Sequence, residues 1–221
     1  MISNWKKTGK LSIVGKLGIL FVIGLIFYIP NVFNVDLSAF DILTKDAGQD
    51  IKNILSVLGI VTSIFLFFLT TFLRAPFYYS QHYIYLRVVR EEKFQIKDAF
   101  IGFSFYKQAL KLYILMFLYI FIGFILFVIP GIILIYKYKM AFYLLCEEPE
   151  LTPKECLKKS SEITAGYKMD LFLMDLSFIG WDLLALLTLG ILYIWLTPYK
   201  LASTTAAYLE LNPSAYLEEK I

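Results

Sequence analysis

Long apolar runs are the feature that most constrains the fold of this chain. Six stretches come close to the roughly 20 apolar residues that a helix needs to cross about 30 Å of hydrocarbon. They cover residues 15–33, 54–73, 110–129, 132–145, 171–189 and 191–209. Hydrophobic residues make up 59% of the chain, above the roughly 45–50% of soluble domains. The sequence therefore predicts an all-α polytopic membrane protein with about six transmembrane helices, forming one membrane domain over residues 1–221.

Two short breaks predict tight helical hairpins. Pro130-Gly131 divides the third stretch from the fourth, and Gly190 divides the fifth from the sixth. Proline lacks an amide donor and glycine tolerates left-handed torsions, so both suit a chain reversal. The stretch 132–145 is short and carries Lys137 and Lys139. A re-entrant segment is therefore the alternative to a complete fourth span.

Basic residues predict the orientation, because they concentrate on alternate sides of the spans. They precede the first span and fill the segments 78–105 and 147–168, whereas the loop 34–53 carries four aspartates. The positive-inside rule places both termini and both basic segments in the cytoplasm, with the protein in the inner membrane. The run after Lys6, Lys7 and Lys10 is longer than a usual signal core, and no A-x-A pattern follows it. It is interpreted as an uncleaved first span.

The second basic segment predicts a short helix on the membrane surface. Thr152, Pro153 and Glu155 form a capping-box pattern, and Gly166 is a suitable C-terminal stop after Ala165.

The first basic segment, 78–105, combines tyrosines and phenylalanines with a basic run, which predicts an amphipathic interfacial helix. Arg87, Arg90 and Lys93 are candidates for contact with anionic lipid head groups. The simpler interpretation, which we favour, is a solvated charged face that also sets the topology.

Five charged residues fall at bilayer depth, where each calls for a partner or a wet cavity. They are Lys137, Lys139, Asp175, Asp182 and Lys200. The rise of about 1.5 Å per residue brings acids and lysines to similar depths on three consecutive spans. We expect Asp182 to pair with Lys137 or Lys200, and Asp175 to face the bundle interior or the inner water boundary. Buried ion pairs, a polar lining for a substrate or proton path, and snorkelling to an interface are the three interpretations of this layer.

The sequence shows no catalytic, metal or cofactor motif. It lacks a Walker loop, G-x-S-x-G and H-E-x-x-H. The one histidine, His82, lies among tyrosines and is expected at the interface rather than as a base. Cys146 and Cys156 are expected as free thiols. The net charge of +3 is small and its lysines flank apolar spans, so nucleic acid is not an expected partner. We expect no enzyme and no cofactor.

The C-terminal half, about residues 130–211, resembles a family of bacterial integral membrane proteins catalogued as domain of unknown function 975. The resemblance rests on short matching strings spread through this half. They are Pro130-Gly131-Ile132-Ile133, Tyr138 with Met140-Ala141-Phe142-Tyr143, Glu155-Cys156-Leu157-Lys158-Lys159-Ser160, Gly166, Asp170-Leu171-Phe172, Leu176-Ser177-Phe178-Ile179-Gly180-Trp181, Thr188-Leu189-Gly190 and Thr197-Pro198-Tyr199. The family occurs mostly in Gram-positive bacteria and has no agreed activity, so the resemblance implies fold and location more than function.

Three functions are compatible with these features. The first is a non-enzymatic scaffold or accessory factor in an envelope or transport process. The second is a small transporter or channel that uses the charged layer. The third is an immunity protein against a membrane-active peptide. The expected partners are the lipid bilayer and a membrane protein or a second copy of the chain.

Overall fold

A computed structural model of the chain describes residues 1–32 and 49–212. These residues form ten α-helices and one 3-10 helix and contain no strand. In chain order the elements are α1 Ile2–Ile13, α2 Leu17–Val32, α3 Gln49–Val89, the 3-10 helix Ile96–Phe103, α4 Tyr106–Leu126, α5 Val128–Tyr138, α6 Ala141–Glu147, α7 Pro153–Ile163, α8 Lys168–Leu176, α9 Ile179–Leu187 and α10 Tyr193–Leu211. The predicted all-helical class is confirmed. The predicted acidic loop 34–53 lies mostly outside the described residues.

Three helical stretches of the described chain are long and apolar enough to cross a membrane. They are Asn53–Val89, Tyr106–Leu126 and Val128–Glu147, the last formed by α5 and α6 together. A fourth is added if α1 and the first part of α2, which meet at a 99° bend, are counted as one broken span. The composition of these helices is that of a membrane protein. By length and composition, the described residues therefore contain three or four candidate membrane spans, whereas six were predicted.

The hairpin between α4 and α5 reverses earlier than the sequence predicts. Phe127 has extended torsions (φ −165°, ψ 158°) and ends α4. Pro130 and Gly131, the predicted reversal, instead lie in the first turn of α5, where a proline costs no helical hydrogen bond. A Cβ on Gly131 would lie 2.6 Å from the Phe124 ring. Gly131 therefore serves the close packing of the two arms.

The fifth predicted span, 171–189, is interrupted. Ser177 and Phe178 separate α8 from α9, and each of these helices has nine residues. The turn predicted at Gly190 is present, because Leu189 (φ 53°) and Gly190 (φ 87°) both have left-handed torsions. Leu189 is 94% exposed at the tip of the hairpin that α9 and α10 form. An apolar side chain so exposed is typical of a surface that faces hydrocarbon.

The segment 78–89 is part of the core rather than an interfacial helix. It continues α3 beyond Pro76, and Tyr79, Ile84, Tyr85 and Val88 are buried. Their neighbours come from α4, α6 and α10, so this end of α3 is surrounded by other helices. The earlier part of α3 is different, since most of its large apolar side chains are exposed.

The capping box that begins α7 is confirmed. The Glu155 amide donates to Thr152 Oγ1 (3.4 Å), and the Thr152 amide donates to Glu155 Oε2 (2.8 Å). The Thr152 hydroxyl also donates to Glu155 Oε2, at 2.7 Å. This bond and the one from the Thr152 amide hold the pKa of the Glu155 carboxyl below its usual range, because they favour its charged form. The helix ends at Ile163, two residues before the predicted end, and Gly166 (φ 84°) follows as the stop.

Candidate functional site: charged pairs beside a broken helix

Lys139 and Asp175 form the first pair of the charged layer. Lys139 Nζ lies 2.6 Å from Asp175 Oδ2, and the Tyr136 hydroxyl donates to the same oxygen at 3.1 Å. The Lys139 side chain is 17% exposed and that of Asp175 is 43% exposed. The pair joins the end of α5 to α8, so it holds together two segments that are far apart in sequence.

Asp182 and Lys200 form the second pair. Lys200 Nζ lies 2.6 Å from both Asp182 carboxylate oxygens, and about a third of each side chain is exposed. Of the two partners expected for Asp182, the structure therefore shows Lys200. The contact connects the two arms of the α9–α10 hairpin near its base.

A third lysine, Lys6, lies at the break between α8 and α9. From the sequence, its charge was interpreted only as a signal for the orientation in the membrane. Lys6 of α1 donates to Ser177 Oγ at 3.0 Å and lies 4.4 Å from the centre of the Phe178 ring. Lys200 approaches the same ring at 5.8 Å. An aromatic face attracts ammonium groups through its negative quadrupole. Lys6, Lys139, Asp175, Asp182 and Lys200 are called the paired layer below.

Lys137 does not join the paired layer. Its ammonium lies 5.4 Å from the Tyr138 ring centre. Its carbonyl oxygen accepts hydrogen bonds from Ser160 of α7 (2.9 Å) and from Thr164, the residue that follows α7 (3.2 Å). The backbone of Lys137 thus anchors α7 to α5 where α5 ends.

The three candidates for lipid head-group contact lie in different surroundings. Arg87 donates to the Lys93 carbonyl at 3.0 Å and approaches Glu92 at 3.6 Å. Arg90 pairs with Glu147, and only 13% of its side chain is exposed. Lys93 is exposed. Arg90 is therefore mainly occupied inside the protein, while a lipid contact stays a prediction for Arg87 and Lys93.

A buried polar network at the C-terminal ends of α3, α6 and α10 was missed by sequence reasoning. Glu147 accepts from both Arg90 and the Tyr208 hydroxyl. One helical turn away, the hydroxyls of Tyr143 and Thr205 lie 3.1 Å apart. Glu147 at the end of an apolar run was the available signal, because an acid there needs a partner.

The one histidine of the chain is held in a packing role. His82 is buried rather than interfacial, and its Nδ1 donates to the Tyr78 carbonyl at 2.7 Å. The rings of Tyr78, Phe142 and Tyr143 surround it. Within residues 1–32 and 49–212, no group of three or more His, Cys, Asp or Glu could hold a metal ion.

Burial makes Cys156 a poor nucleophile. The side chain is fully buried on α7, and burial raises the pKa of its thiol from 9.0 to about 11. A shift of this size leaves about a hundredfold less thiolate at pH 8. The test variant is Cys146→Ala, in which Cys156 is the remaining cysteine. The control variant lacks both native cysteines and carries Lys158→Cys at an exposed position of α7. We expect maleimide to react with Cys156 at least a hundredfold more slowly than with the cysteine of the control. Equal rates in folded protein would contradict this expectation, and unfolding in SDS should make the two rates equal.

Comparison with known proteins finds a family match for the C-terminal part of the chain. Residues 120–214 match the family described as protein of unknown function (DUF975). No curated protein matches the chain, and no solved structure matches it. The matched region contains four members of the paired layer, Lys139, Asp175, Asp182 and Lys200, and it contains the whole α9–α10 hairpin and the turn between α4 and α5. In this region the chain is similar to the DUF975 family.

Proposed function

We propose that the chain is a non-enzymatic, multi-pass protein of the bacterial cell membrane that acts as a scaffold or accessory factor in an envelope or transport process. The observation that carries this proposal is the pairing of the charged layer. Lys139 and Lys200 each lie 2.6 Å from an aspartate. Side chains that neutralise one another join helices, whereas a transport path needs charged groups that face its water.

The arrangement of α2 and α3 supports the orientation with both termini in the cytoplasm. Lys16 Nζ donates to the Val88 carbonyl at 3.1 Å, so the beginning of α2 meets the end of α3. The basic residues beside these two helix ends therefore lie on one side. Each of the two later hairpins returns the chain to the side from which it starts. This supports a C-terminus on the same side as the N-terminus, and the positive-inside rule assigns that side to the cytoplasm.

The six predicted spans remain part of this proposal. The α4–α5 hairpin with α6 supplies the third and fourth, and the α9–α10 hairpin supplies most of the fifth and sixth. Tags at the two ends should both be accessible only after the cytoplasmic side is opened. Tags in opposite compartments would overturn the orientation.

A small transporter or channel is the second candidate, and one observation favours it. The two ion pairs are not fully enclosed, because the Asp175 side chain is 43% exposed and that of Lys200 is 35% exposed. A partly open pair can separate and bind a passing ion or proton.

Double-mutant cycles separate the two candidates. The variants are Asp182→Asn, Lys200→Gln and the double variant, with Asp170→Asn as a matched control acid on α8. A structural pair predicts a coupling of about 1 kcal/mol in the free energy of unfolding, because the pair is only partly buried. The proteins are also reconstituted in vesicles and tested for proton and potassium flux. The scaffold proposal expects flux equal to that of protein-free vesicles.

The outcomes decide between the candidates. Additive stability losses, together with a flux that Asp182→Asn abolishes and Asp170→Asn retains, would replace the scaffold with a transporter. A separate experiment tests the scaffold directly: the tagged chain is purified from native membranes, and the proteins that co-purify with it are identified. A scaffold retains one membrane partner at a fixed ratio, and finding the chain alone with lipid would overturn the proposal.

A further inference from the structure

A cavity of about 310 Å³ lies between α4, the end of α5 and α7. Tyr119 and Lys137 line it from α4 and α5, and its wall on α7 includes Lys154, Lys158, Ser161 and Glu162. This space is called the lysine pocket below. It is separate from the paired layer, because no member of that layer lines it. Its volume is at the lower end of the roughly 300–1,000 Å³ that is typical of small-molecule sites.

The lysine pocket has an excess of positive charge. Three lysines and one glutamate are the charged residues that line it, which leaves a net charge of +2. Among residues 1–32 and 49–212, no carboxylate forms an ion pair with Lys137, Lys154 or Lys158. The next lysine of α7 differs, because Lys159 pairs with Glu148 at 2.7 Å. A cleft lined by charges of one sign attracts a ligand of the opposite sign, so the pocket favours an anion.

The walls of the lysine pocket are held in position. Lys154, Lys158 and Ser161 are spaced four and three residues apart, so they lie on one face of α7. On another side of this helix, Ser160 donates to the Lys137 carbonyl at 2.9 Å. This bond fixes α7 against α5, the two elements that supply the three lysines. Binding to walls that are already fixed costs less entropy than ordering them around a ligand.

The wall on α7 is accessible to water or to lipid head groups. Lys154, Lys158 and Glu162 are all exposed, and charged side chains of this kind avoid hydrocarbon. Lys137 is half-buried, and its flexible four-carbon side chain can reach the same boundary. A ligand of the pocket therefore comes from the aqueous side or from the head-group layer.

The remaining polar groups of the pocket indicate the chemistry of the anion. An ammonium group binds phosphate oxygens as a point charge. Tyr119 and Ser161 add hydroxyl groups, which can donate to further oxygens of the same ligand. The Glu162 carboxylate only accepts hydrogen bonds, so it calls for a donor on the ligand. An ester of phosphate that also carries a hydroxyl group has both parts.

We propose that the lysine pocket binds a hydroxyl-bearing phosphate ester, with the phosphate at the three lysines and a hydroxyl group at Glu162. The head group of phosphatidylglycerol and free glycerol 1-phosphate share this chemistry. The proposal goes beyond the scaffold role and does not depend on it, because the ion pairs that support the scaffold take no part in the pocket.

Two neighbouring lysines of α7 offer a matched test. Lys158 lines the pocket, whereas Lys159 does not. Lys158→Gln and Lys159→Gln each remove one positive charge from the same helix. Neither lysine is buried, so both variants are expected to fold. Lys154→Gln is a second, independent change in the wall of the pocket.

The experiment is native mass spectrometry of the full chain, with phosphatidylglycerol and glycerol 1-phosphate added in turn. Diacylglycerol and glycerol, which lack the phosphate, are the neutral controls. We expect the wild type and Lys159→Gln to retain one molecule of a phosphate ester with equal affinity. Lys158→Gln and Lys154→Gln should each bind it at least tenfold more weakly, because each loses a hydrogen bond between charged groups.

The two esters identify the source of the ligand. Binding of phosphatidylglycerol alone would support the pocket as a lipid site, and binding of glycerol 1-phosphate alone would support it as a site for a soluble ester. A wild type that binds neither ester, or binds the neutral controls equally well, would overturn the proposal. Equal weakening by Lys158→Gln and Lys159→Gln would overturn it too, because general attraction to a basic surface would then explain the binding.

Discussion

Glu147→Gln should destabilise the protein by about 3–5 kcal/mol, because it removes one partner of a mostly buried ion pair. The Glu147 and Arg90 side chains are 14% and 13% exposed, and Glu147 also accepts from the Tyr208 hydroxyl. The neutral amide takes the Glu147 carboxylate away from the Arg90 guanidinium in the protein interior. The free energy of unfolding in mixed micelles, followed by circular dichroism, measures the loss.

The neighbouring acid provides the control. Glu148 pairs with Lys159 at 2.7 Å, but 49% and 40% of the two side chains are exposed. We expect Glu148→Gln to change the stability by no more than about 1 kcal/mol, because solvent screens an exposed pair. Similar losses for the two glutamine variants would mean that burial does not set the contribution of Glu147.

Gly102→Ala is expected to cost about 3 kcal/mol, the upper end of the range for overpacking in a closed site. A Cβ at Gly102 would lie 1.9 Å from the Pro76 carbonyl oxygen and 2.8 Å from Ser80 Oγ. The Gly102 amide also donates to Ser80 Oγ at 2.8 Å, and that hydroxyl donates to the Pro76 carbonyl at 3.0 Å. The methyl group must therefore push the 3-10 helix away from α3 and lengthen these bonds. Thermal unfolding in detergent reports the change.

Gly180→Ala is the matched control. Gly180 lies inside α9 with nothing within 4 Å of an added Cβ. Alanine there should stabilise the protein by roughly 0.5–1 kcal/mol, since it reduces the entropy lost in forming the helix. A Gly102→Ala protein as stable as the wild type would contradict the close contact with Pro76.

The parts of the fold that depend on local chemistry could be predicted from the sequence. The capping box at Thr152 needs only side chains three residues apart, and Gly190 has the left-handed torsion that its position before α10 requires. Lys200 was one of the two partners predicted for Asp182, because the two residues are almost equally far from one hairpin turn. In each case the interacting groups are close in sequence or related by a single turn.

The parts that depend on long-range packing could not be predicted. The composition of 78–89, with tyrosines beside arginines, is that of an interfacial helix, but α4, α6 and α10 cover it. Pro130 looked like a reversal, although a proline is equally suited to the first turn of a helix. Lys6 was interpreted through its charge alone, since only the folded chain brings α1 to Ser177. These contacts join residues up to 171 positions apart.

The tight contact of α1 with α10 determines when this protein can finish folding. A Cβ on Gly9 would lie 2.5 Å from the Ser203 amide nitrogen, so the two backbones touch. During synthesis, Gly9 leaves the ribosome almost two hundred residues before Ser203. The first helix must therefore wait for its main packing partner until α10 has been synthesised. Any truncation that removes α10 takes away most of the surface on which α1 packs.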